Sequence, residues 1–576
     1  MKLKTLTTLG VAILFMAAAS GAAGSERASL SGSGVKNIQT KKLVAGTRAP
    51  GKSLRVERTQ AQLTISGWDK NEIAVEAVVE VGNSDPDFVK EFLDNTIMKL
   101  EPETGGYILR LTAPWDWEKG QGGVLKKLAD ALRSGRWNIS YTARIDIHVP
   151  AVQSLDVRNQ FGNISVSGVS GRILLNNESG QVQVENCGGE LKLDNSFGPV
   201  RVTGFKGPVD LGNESGEVRA ENIAGRADIR NSFKDVQFQK IDGPLVVTSE
   251  SASVTGTDVD GDCRITSSFK VIDVRGVRGK LEVNGESSEV TAVDVAKDAV
   301  IASSFKPVIA TNIKGGLRMT CESAAVTAEG IEGDTWIKSS FQAIAVSRVK
   351  GRLTVEGESS AVAIRDIVGD ASVKSSFKDV VAAGVGGSLE VRSESARVVA
   401  SDIVKGASIV TSFNGIEARR IGGNLTVEGE SSSVLAEDIG GAVDIKNSFK
   451  NIILRRTSGS ITVLGESSSV DVEQVKSLPA GSLIDIKTSF KPIRLALPKA
   501  TEVEGTARTE FGKITTDFPV FLKDTAGFEG RAVSFSSGEG EVPLKVEKYA
   551  NIMLSARKGK VWLKLETSAD ITIKKE

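Results

Sequence analysis

The sequence predicts an all-β protein, a parallel β-helix or β-solenoid, and three observations lead to this prediction. Nine phenylalanines recur at intervals of 36 residues, and Glu-Ser pairs recur between them at the same interval. A fixed period of this length is typical of repeat architectures. The segments inside each repeat alternate apolar and polar residues and are broken by Gly, Asn and Asp, which indicates short strands joined by corners.

Two residue series define the repeat. The phenylalanines are Phe161, Phe197, Phe233, Phe269, Phe305, Phe341, Phe377, Phe413 and Phe449. The glutamates are Glu178, Glu214, Glu250, Glu286, Glu322, Glu358, Glu394, Glu430 and Glu466. Each glutamate lies 18 residues after the serine or glutamine that precedes a phenylalanine, so the structural unit is an 18-residue coil within a 36-residue double repeat. We call the two kinds of unit phenylalanine coils and glutamate coils.

The phase of the coils is unusually strict. If positions are numbered from Asn159, apolar residues recur at positions 6, 11, 15 and 17, and no insertion interrupts the phase as far as Leu464. Five extra residues then occur around Lys476 to Ser482, and Phe490 restores the pattern. Since loops normally vary in length, every residue is expected to be held in the stack. With strands about 4.8 Å apart, the 17 coils predict a rod of about 80 Å.

The parity of the strand predicts which side chains face inward. Positions 15, 17, 1 and 3 share parity, so the phenylalanine at position 3 is expected inside, with a serine in the alternate coil leaving room for the ring. The glutamates at position 2 and the lysines at position 4 are then expected outside. At position 10, acidic and basic residues one coil apart, such as Asp402 and Arg420, are expected to pair.

The chain is expected to divide into four parts. Residues 1–24 form a secretory signal peptide, since Lys2 and Lys4 precede an apolar run and small residues follow it. Residues 25–150 form an N-terminal β-rich capping region with a helical insertion, residues 151–499 the solenoid repeats, and residues 500–576 a C-terminal β region that completes or caps the stack. No transmembrane segment is expected after signal cleavage.

Two short helices are predicted within the capping region. The first follows Ser84 and Pro86, which are good N-terminal signals. The second covers Val124 to Arg133 and stops at Gly135. A cap over the mouth of the solenoid protects its open edge.

Composition excludes several classes of function. Lysine and arginine together number 72, and so do aspartate and glutamate. The chain therefore has no net positive charge that would favour binding to nucleic acid. One histidine, His148, and three cysteines allow neither a His-rich metal site nor a disulfide framework. His148 is expected to be exposed and the cysteines to be small buried fillers. No metal or other cofactor is expected.

The second predicted helix carries the one candidate contact site for a ligand or a membrane. It is basic and flanked by half of the six tryptophans, so it could form a membrane-surface or glycan-stacking patch. The alternative is a cap helix that buries its leucines, which amphipathic helices commonly do. The residues of this patch are Trp115, Trp117, Lys126, Lys127, Arg133 and Trp137.

The glutamate series does not predict a calcium site or an active site. Carboxylates two coils apart cannot share one Ca²⁺, and hydrogen bonds to flanking serines with nearby lysines are the expected arrangement. Polysaccharide lyases and hydrolases need acids that converge in a cleft, and the unbroken phase offers none. A non-enzymatic protein is therefore predicted.

Two passages resemble a known family. LTISGWDKNEIAVEAVVEV at 63–81 and IDIHVPAVQSLDVRNQFGNISVSGVSGRI at 145–173 look like the bacterial exported β-strand-repeat proteins of unknown function that carry an adhesin label. The resemblance implies a β-helical fold and an envelope or surface location, and it brings no catalytic residues.

These observations together predict an exported, non-enzymatic β-solenoid that acts as an adhesin-like binding protein or a cell-envelope scaffold. The expected location is the periplasm or the bacterial cell surface, and the partners would be envelope or host glycans or surface proteins. The alternative function is a carbohydrate-active β-helix enzyme, a polysaccharide lyase or hydrolase.

Overall fold

The computed structural model describes residues 37–114, 139–522, 531–537, 543–547, 550–552 and 560–576. The predicted signal peptide and the second predicted helix lie outside these residues. The chain divides into two compact units. The smaller unit consists of 1–41, 78–97 and 112–142, and the larger consists of 42–77, 98–111 and 143–576. No helix among the described residues has the length and apolar character needed to cross a membrane.

Among the described residues before the repeats, the elements are seven strands and one helix. They are β1 (Ile38–Thr47), β2 (Ser53–Thr59), β3 (Gln62–Trp68), β4 (Ile73–Gly82), α1 (Pro86–Asp94), β5 (Ile97–Glu103), β6 (Gly106–Thr112) and β7 (Ser140–Pro150). The first predicted helix is thus confirmed as α1. Asp85 caps it by accepting hydrogen bonds from the backbone N–H groups of Asp87 and Phe88, and its apolar face is buried.

The repeats form two strands per coil. They are β8 (Ser154–Phe161), β9 (Ile164–Ser167), β10 (Arg172–Ser179), β11 (Val182–Glu185), β12 (Glu190–Phe197), β13 (Val200–Phe205), β14 (Val209–Asn213), β15 (Val218–Ile223), β16 (Ala227–Asn231), β17 (Val236–Ile241), β18 (Leu245–Ser249), β19 (Val254–Val259), β20 (Cys263–Ser268), β21 (Val271–Val277), β22 (Leu281–Glu286), β23 (Glu289–Val295), β24 (Ala299–Ser304), β25 (Val308–Ile313), β26 (Leu317–Glu322), β27 (Val326–Ile331), β28 (Thr335–Ser340), β29 (Ile344–Val349), β30 (Leu353–Glu358), β31 (Val362–Ile367), β32 (Ala371–Ser375), β33 (Val380–Val385), β34 (Leu389–Ser393), β35 (Val398–Ile403), β36 (Ala407–Thr411), β37 (Ile416–Ile421), β38 (Leu425–Gly429), β39 (Val434–Ile439), β40 (Val443–Ser448), β41 (Ile452–Arg455), β42 (Ile461–Glu466), β43 (Val470–Glu473), β44 (Leu483–Thr488) and β45 (Ile493–Leu497).

In the described stretches after the repeats, there are seven strands. They are β46 (Val503–Thr509), β47 (Lys513–Leu522), β48 (Arg531–Ser537), β49 (Pro543–Glu547), β50 (Ala550–Ile552), β51 (Val561–Thr567) and β52 (Ile571–Lys575).

The larger unit is a parallel β-solenoid of about 18 turns, as the sequence predicts. Even-numbered strands from β8 to β44 pair into one sheet, and odd-numbered strands from β9 to β45 pair into the other. Neighbouring coils pair in register at an offset of 18 residues, as Val308 does with Val326. The predicted five-residue insertion is confirmed, because Ile461 pairs with Ile484 at an offset of 23.

The apolar columns fill the interior of the solenoid. In the coil that begins at Ser303, the side chains at positions 6, 11, 15 and 17 are all buried, as predicted, and so is the alanine at position 8. These residues are Val308, Ala310, Ile313, Leu317 and Met319, each at most 2% exposed. Burial on this scale supplies the main stabilising free energy of such a fold. The three cysteines are also buried and unpaired, as predicted, and burial raises the pKa of the Cys263 thiol to about 12.

Strands far apart in the sequence complete both ends of the stack. Residues 53–68 form a further turn on β8 and β9, since Leu54 pairs with Leu155 and Leu63 pairs with Ile164. At the other end, β51 lies between β44 and β46 and pairs in parallel with both. The order of turns in space therefore differs from their order in the chain.

The predicted direction of the phenylalanine rings is wrong. All nine repeat phenylalanines face solvent, with exposed fractions from 55% to 64%. Parity predicts an inward ring only in an unbroken strand, but position 3 is a corner, and four of the nine phenylalanines there adopt the left-handed α conformation, such as Phe305 at φ 63°. A residue in this conformation ends the alternation of inward and outward side chains, so the ring points away from the core.

A buried hydrogen bond links neighbouring coils at this corner. In the glutamate coils from residue 249 onward, position 4 holds a fully buried Ala or Ser, such as Ser288. Its carbonyl accepts a hydrogen bond from the side chain at position 1 of the next phenylalanine coil. The pairs are Ser267–Ala252, Ser303–Ser288, Ser339–Ala324, Ser375–Ser360, Thr411–Ala396, Asn447–Ser432 and Thr488–Ser468, at 2.6–3.0 Å. Each bond satisfies a carbonyl that the turn removes from water.

The position 1 column is polar along its first coils as well. Asn159, Asn177, Asn195 and Asn213 are buried and form a ladder in which each side-chain amide donates to the next, at 3.0–3.3 Å. Such a ladder fixes the alignment of successive coils, because a shift of one residue would leave every buried amide without a partner.

Because its ring is exposed, Phe305→Ser is expected to change the free energy of unfolding by no more than about 0.5 kcal/mol. Serine occupies the same corner position in the neighbouring coil at Ser287, in the same backbone conformation. Urea denaturation followed by circular dichroism measures the change. The control Ile301→Ala removes a side chain that is 1% exposed and should cost about 2–5 kcal/mol. Equal losses in the two variants would contradict the outward position of Phe305.

Ser303→Ala is expected to destabilise the solenoid by about 1–3 kcal/mol, since it leaves a buried carbonyl unpaired. The Oγ atom of Ser303 lies 2.7 Å from the carbonyl oxygens of both Gly285 and Ser288. Ser304→Ala is the matched control, because that side chain is half-buried on the outer surface. The same urea denaturation compares the two, and a Ser303→Ala midpoint equal to that of the control would exclude a stabilising role.

Candidate functional site

The most prominent surface feature of the solenoid is a row of exposed phenylalanine rings at one corner, which we call the phenylalanine ladder. It contains eleven side chains, each between 55% and 74% exposed. They are Phe161, Phe197, Phe233, Phe269, Phe305, Phe341, Phe377, Phe413, Phe449, Phe490 and Phe511. A regular row of large exposed apolar side chains is a candidate contact surface.

The last member of the ladder comes from outside the sequence repeats. Lys487 pairs with Glu566, and Glu566 pairs with Arg508, so Phe490 and Phe511, each three residues further on, stand two layers apart. Sequence reasoning missed Phe511 because the intervening turn comes from β51, later in the chain. The available signal was the segment Thr-Glu-Phe-Gly at 509–512, which resembles Asn-Gln-Phe-Gly at 159–162.

The backbone holds several of these rings in a costly conformation. Phe269, Phe305, Phe341, Phe449 and Phe490 have φ between 59° and 68°, which is rare for a bulky residue. Asparagine or glycine would adopt the same corner with less strain. Fold stability therefore gives no reason for phenylalanine at these positions, whereas strained residues recur at functional sites.

Hydrogen bonds fix each of these corners to the next coil. The Phe305 backbone N–H donates to the carbonyl of Glu322 at 2.7 Å, and Phe269 donates to Glu286 at 2.9 Å. The same bond joins Phe341 to Glu358. A phenylalanine and the glutamate of the following coil are therefore held at a constant relative position along the ladder.

The glutamates beside the ladder are exposed and unpaired. All nine, from Glu178 to Glu466, face solvent. Within the part of the chain that the structure describes, none forms an ion pair or a side-chain hydrogen bond, whereas many other surface charges do, such as Arg264 with Glu282. The predicted bonds to flanking serines and nearby lysines are thus wrong. Because no described side chain pairs with them, these carboxylates are free to accept hydrogen bonds from a ligand.

Lysines lie on the other side of several rings. Lys234, Lys270, Lys306, Lys378, Lys450 and Lys491 each follow a ladder phenylalanine directly and are exposed. Among the described residues, no carboxylate lies within ion-pair distance of these six. At these six rings, the surface along the corner combines an aromatic ring and a free ammonium with the free carboxylates of the neighbouring coils.

Shallow depressions follow the glutamate column. One of about 370 Å³ is bordered by Glu178, Glu214 and Glu250, and another of about 440 Å³ by Glu286 and Glu322. Serine, asparagine and threonine make up most of the remaining lining, together with Asp194, Arg230 and Lys338. These groups can donate and accept hydrogen bonds. Each depression is lined by residues of five successive coils, so an extended ligand fits it better than a compact one.

The tryptophan and lysine patch expected near the second helix cannot be compared with this site. Trp115, Trp117, Lys126, Lys127, Arg133 and Trp137 lie outside the described residues. His148 is exposed, as predicted, with Nδ1 2.6 Å from the Ser66 hydroxyl and its ring stacked on Trp68. Among the described residues, no group of three His, Cys, Asp or Glu side chains is placed to hold a metal ion.

The charged column at position 10 has a structural explanation. Asp402 accepts two hydrogen bonds from Arg420, at 2.5 and 2.8 Å, which confirms this predicted pair. Asp438 accepts bonds from Arg456 at 3.0 and 2.8 Å and from Lys476 at 2.6 Å. The bonds from Arg456, then that from Lys476, hold the pKa of Asp438 well below its usual range.

No protein family, no curated protein and no solved structure matches this chain.

Asp438→Asn tests the structural role of the charged column. A carboxylate whose pKa is lower in the folded than in the unfolded chain stabilises the fold above about pH 4, and this contribution is lost as the pH falls through the lowered value. Asp438→Asn should therefore lower the urea midpoint at pH 7 and have little effect at strongly acidic pH. The loss should stay below about 1 kcal/mol per exposed pair.

The control for this experiment is Glu322→Gln, which neutralises an unpaired carboxylate on the same solenoid. Its urea midpoint should follow that of the wild type across the pH range. If both variants show the same pH dependence, the ion pairs of Asp438 do not stabilise the fold.

Proposed function

We propose that this protein is an exported, non-enzymatic β-solenoid that acts as an adhesin-like binding protein or a cell-envelope scaffold, and that the phenylalanine ladder is its binding surface. The observation that carries the proposal is the row of eleven exposed rings within one continuous parallel stack. The 36-residue double repeat is, in this proposal, the repeat of the binding surface, with one ring and one carboxylate in each period.

The energetics of the corner support a binding role. Each ring loses the stabilisation that burial would bring, and several also occupy a strained backbone conformation. The neighbouring glutamate coils have Ser287, Ser323 and Ser359 at the same corner, so the fold accepts a small polar residue there. Contact with a partner would recover the apolar burial that the isolated chain lacks.

The repetition of the surface supports binding without catalysis. The nine glutamates have nearly the same neighbours, while catalysis by a pair of carboxyl groups, as in glycoside hydrolysis, requires two groups in different surroundings. They also recur along one column of the stack, at intervals of about 9.6 Å, rather than around a cleft. A surface with many equivalent positions is suited to a long or repetitive partner.

Export is proposed on the sequence of residues 1–24 and on the resemblance to exported β-strand-repeat proteins. Fractionation of cells that express the full chain, followed by protease treatment of intact cells, distinguishes the periplasm from the cell surface. Recovery of the uncleaved chain in the cytoplasm would contradict export.

The binding proposal is tested with purified protein and isolated bacterial cell envelopes in a co-sedimentation assay. The variant Phe269→Ser, Phe305→Ser, Phe341→Ser and Phe377→Ser is expected to sediment much less than the wild type, because each substitution removes one ring and keeps the corner. Circular dichroism and thermal unfolding should remain close to those of the wild type.

The matched control removes exposed apolar side chains elsewhere on the solenoid. Val368 and Val404 are 65% and 66% exposed and lie at another position of the coil, so Val368→Ser with Val404→Ser should retain wild-type binding. Equal sedimentation of the wild type and the phenylalanine variant would overturn the role of the ladder. Release of reducing ends or unsaturated products from the envelopes would instead favour the lyase or hydrolase.

A further inference from the structure

We infer that the ligand of the phenylalanine ladder is an extended, uncharged, β-1,4-linked polysaccharide that lies along the solenoid axis and stacks every second sugar on a ring. This inference rests on the proposed function and names the ligand class for the same surface. Four observations carry it: the spacing of the rings, the small residues between them, the free polar groups beside them and the balance of charge.

The first observation is the spacing. Coils pair in register from β8 to β44, and the ladder phenylalanines occupy every second coil. The rings therefore repeat at intervals of about 9.6 Å. In an extended β-1,4-linked chain, each sugar advances by a length close to one coil spacing and is turned over relative to the one before. The same sugar face therefore returns every second residue, with a period that matches two coils.

The second observation is the serine between the rings. Ser287, between Phe269 and Phe305, is half-buried and has the same corner conformation. A sugar that presents its apolar C–H face can lie on an aromatic ring, since the ring face is both apolar and electron-rich. The inverted sugar that follows would then lie over a serine, which is small and can exchange hydrogen bonds with its hydroxyl groups.

The third observation is the row of unpaired polar groups. Glu286 and Glu322 stand beside the ladder in the glutamate coils, and Lys270 and Lys306 follow the rings in the phenylalanine coils. Sugar hydroxyl groups donate to carboxylates and accept from ammonium groups. One carboxylate and one ammonium per disaccharide would fix the direction and the register of the bound chain.

The fourth observation is the charge of the strip. Nine free carboxylates lie beside the ladder and a free ammonium group follows six of its eleven rings, so both signs of charge occur along this strip and no single-sign field selects a polyanion or a polycation. The rings are also separated by polar side chains and do not form the continuous apolar face that insertion into a lipid surface requires. An uncharged polymer rich in hydroxyl groups fits both properties.

The linkage is the sharpest element of the inference. Chains joined by α-1,4 or β-1,3 bonds curve into helices, so they do not present one sugar face at a constant interval along a straight line. The ladder follows coils that keep a constant register from one layer to the next, so its rings recur at a constant interval along the stack. Glucose oligomers of equal length but different linkage therefore provide probes that share composition and differ in shape alone.

Isothermal titration calorimetry with the full mature chain tests the inference. Cellohexaose is the β-1,4 probe, and laminarihexaose and maltohexaose are its β-1,3 and α-1,4 isomers. The wild type is expected to bind cellohexaose and to show no heat of binding with the isomers. Chitohexaose, a second uncharged β-1,4 chain, should also bind, because the rings contact the ring face shared by both sugars.

The triple variant Phe269→Ser, Phe305→Ser and Phe341→Ser is expected to weaken binding of cellohexaose by about a hundredfold, since three aromatic contacts of roughly fivefold each are lost. Val368→Ser with Val404→Ser is the matched control and should leave the affinity unchanged. Affinity should rise in steps of two sugars from cellotetraose to cellohexaose. Binding of all three isomeric hexaoses, or equal affinity of the triple variant, would overturn the inference.

Two further comparisons identify the source of the ligand and show which of the two proposals fails. Co-sedimentation with microcrystalline cellulose and with chitin distinguishes a polysaccharide surface from single chains, and retention on either by the wild type alone supports the inference. If no β-1,4 glycan binds while the phenylalanine variant loses envelope binding, the ligand class is wrong and the proposed function stands.

Self-association is the remaining outcome. Sedimentation velocity could show that the wild type is an oligomer and that the triple variant Phe269→Ser, Phe305→Ser and Phe341→Ser is a monomer. If no glycan binds in that case, the ladder joins copies of this chain and the inference is overturned.

Discussion

The constraint on which the structure depends is the alignment of every coil with the next at one corner. There the chain leaves the extended conformation, and a buried side chain at position 1 donates to a carbonyl of the preceding coil, as Ser303 does toward Ser288. This bond ties the direction of the turn to the register of the stack. With the corner aligned in this way, the side chain at position 3 points outward. The core is then filled by the other columns, and the residue at the corner is not needed for packing.

The sequence allowed the period, the register and most core columns to be predicted, because these depend on the spacing of apolar residues. Val308 and Leu317 are buried where the alternation places them. The direction of Phe305 could not be obtained in this way, since a single left-handed residue inverts the parity and no local signal distinguishes it from a strand residue. Phe511 was hidden for another reason, namely that β51 enters the stack out of chain order.

The candidate site shows the same division. The phenylalanine and glutamate series are visible in the sequence, and their regularity identifies them as special. Whether they stabilise the core or face a partner depends on geometry that the series alone does not contain. The lack of partners for Glu286 and Glu322 likewise follows from side-chain positions, because many carboxylates on the same solenoid, such as Glu282, do have a basic neighbour.

The insertion of β51 between β44 and β46 imposes an order of assembly. While the chain elongates, β44 presents an open edge, and β46 is the next strand available to occupy it. The native arrangement requires that this edge remain vacant, or be vacated, until residues 561–575 arrive. Premature closure by β46 would be a kinetic trap, so maturation of this end depends on a strand made about 60 residues after its neighbour.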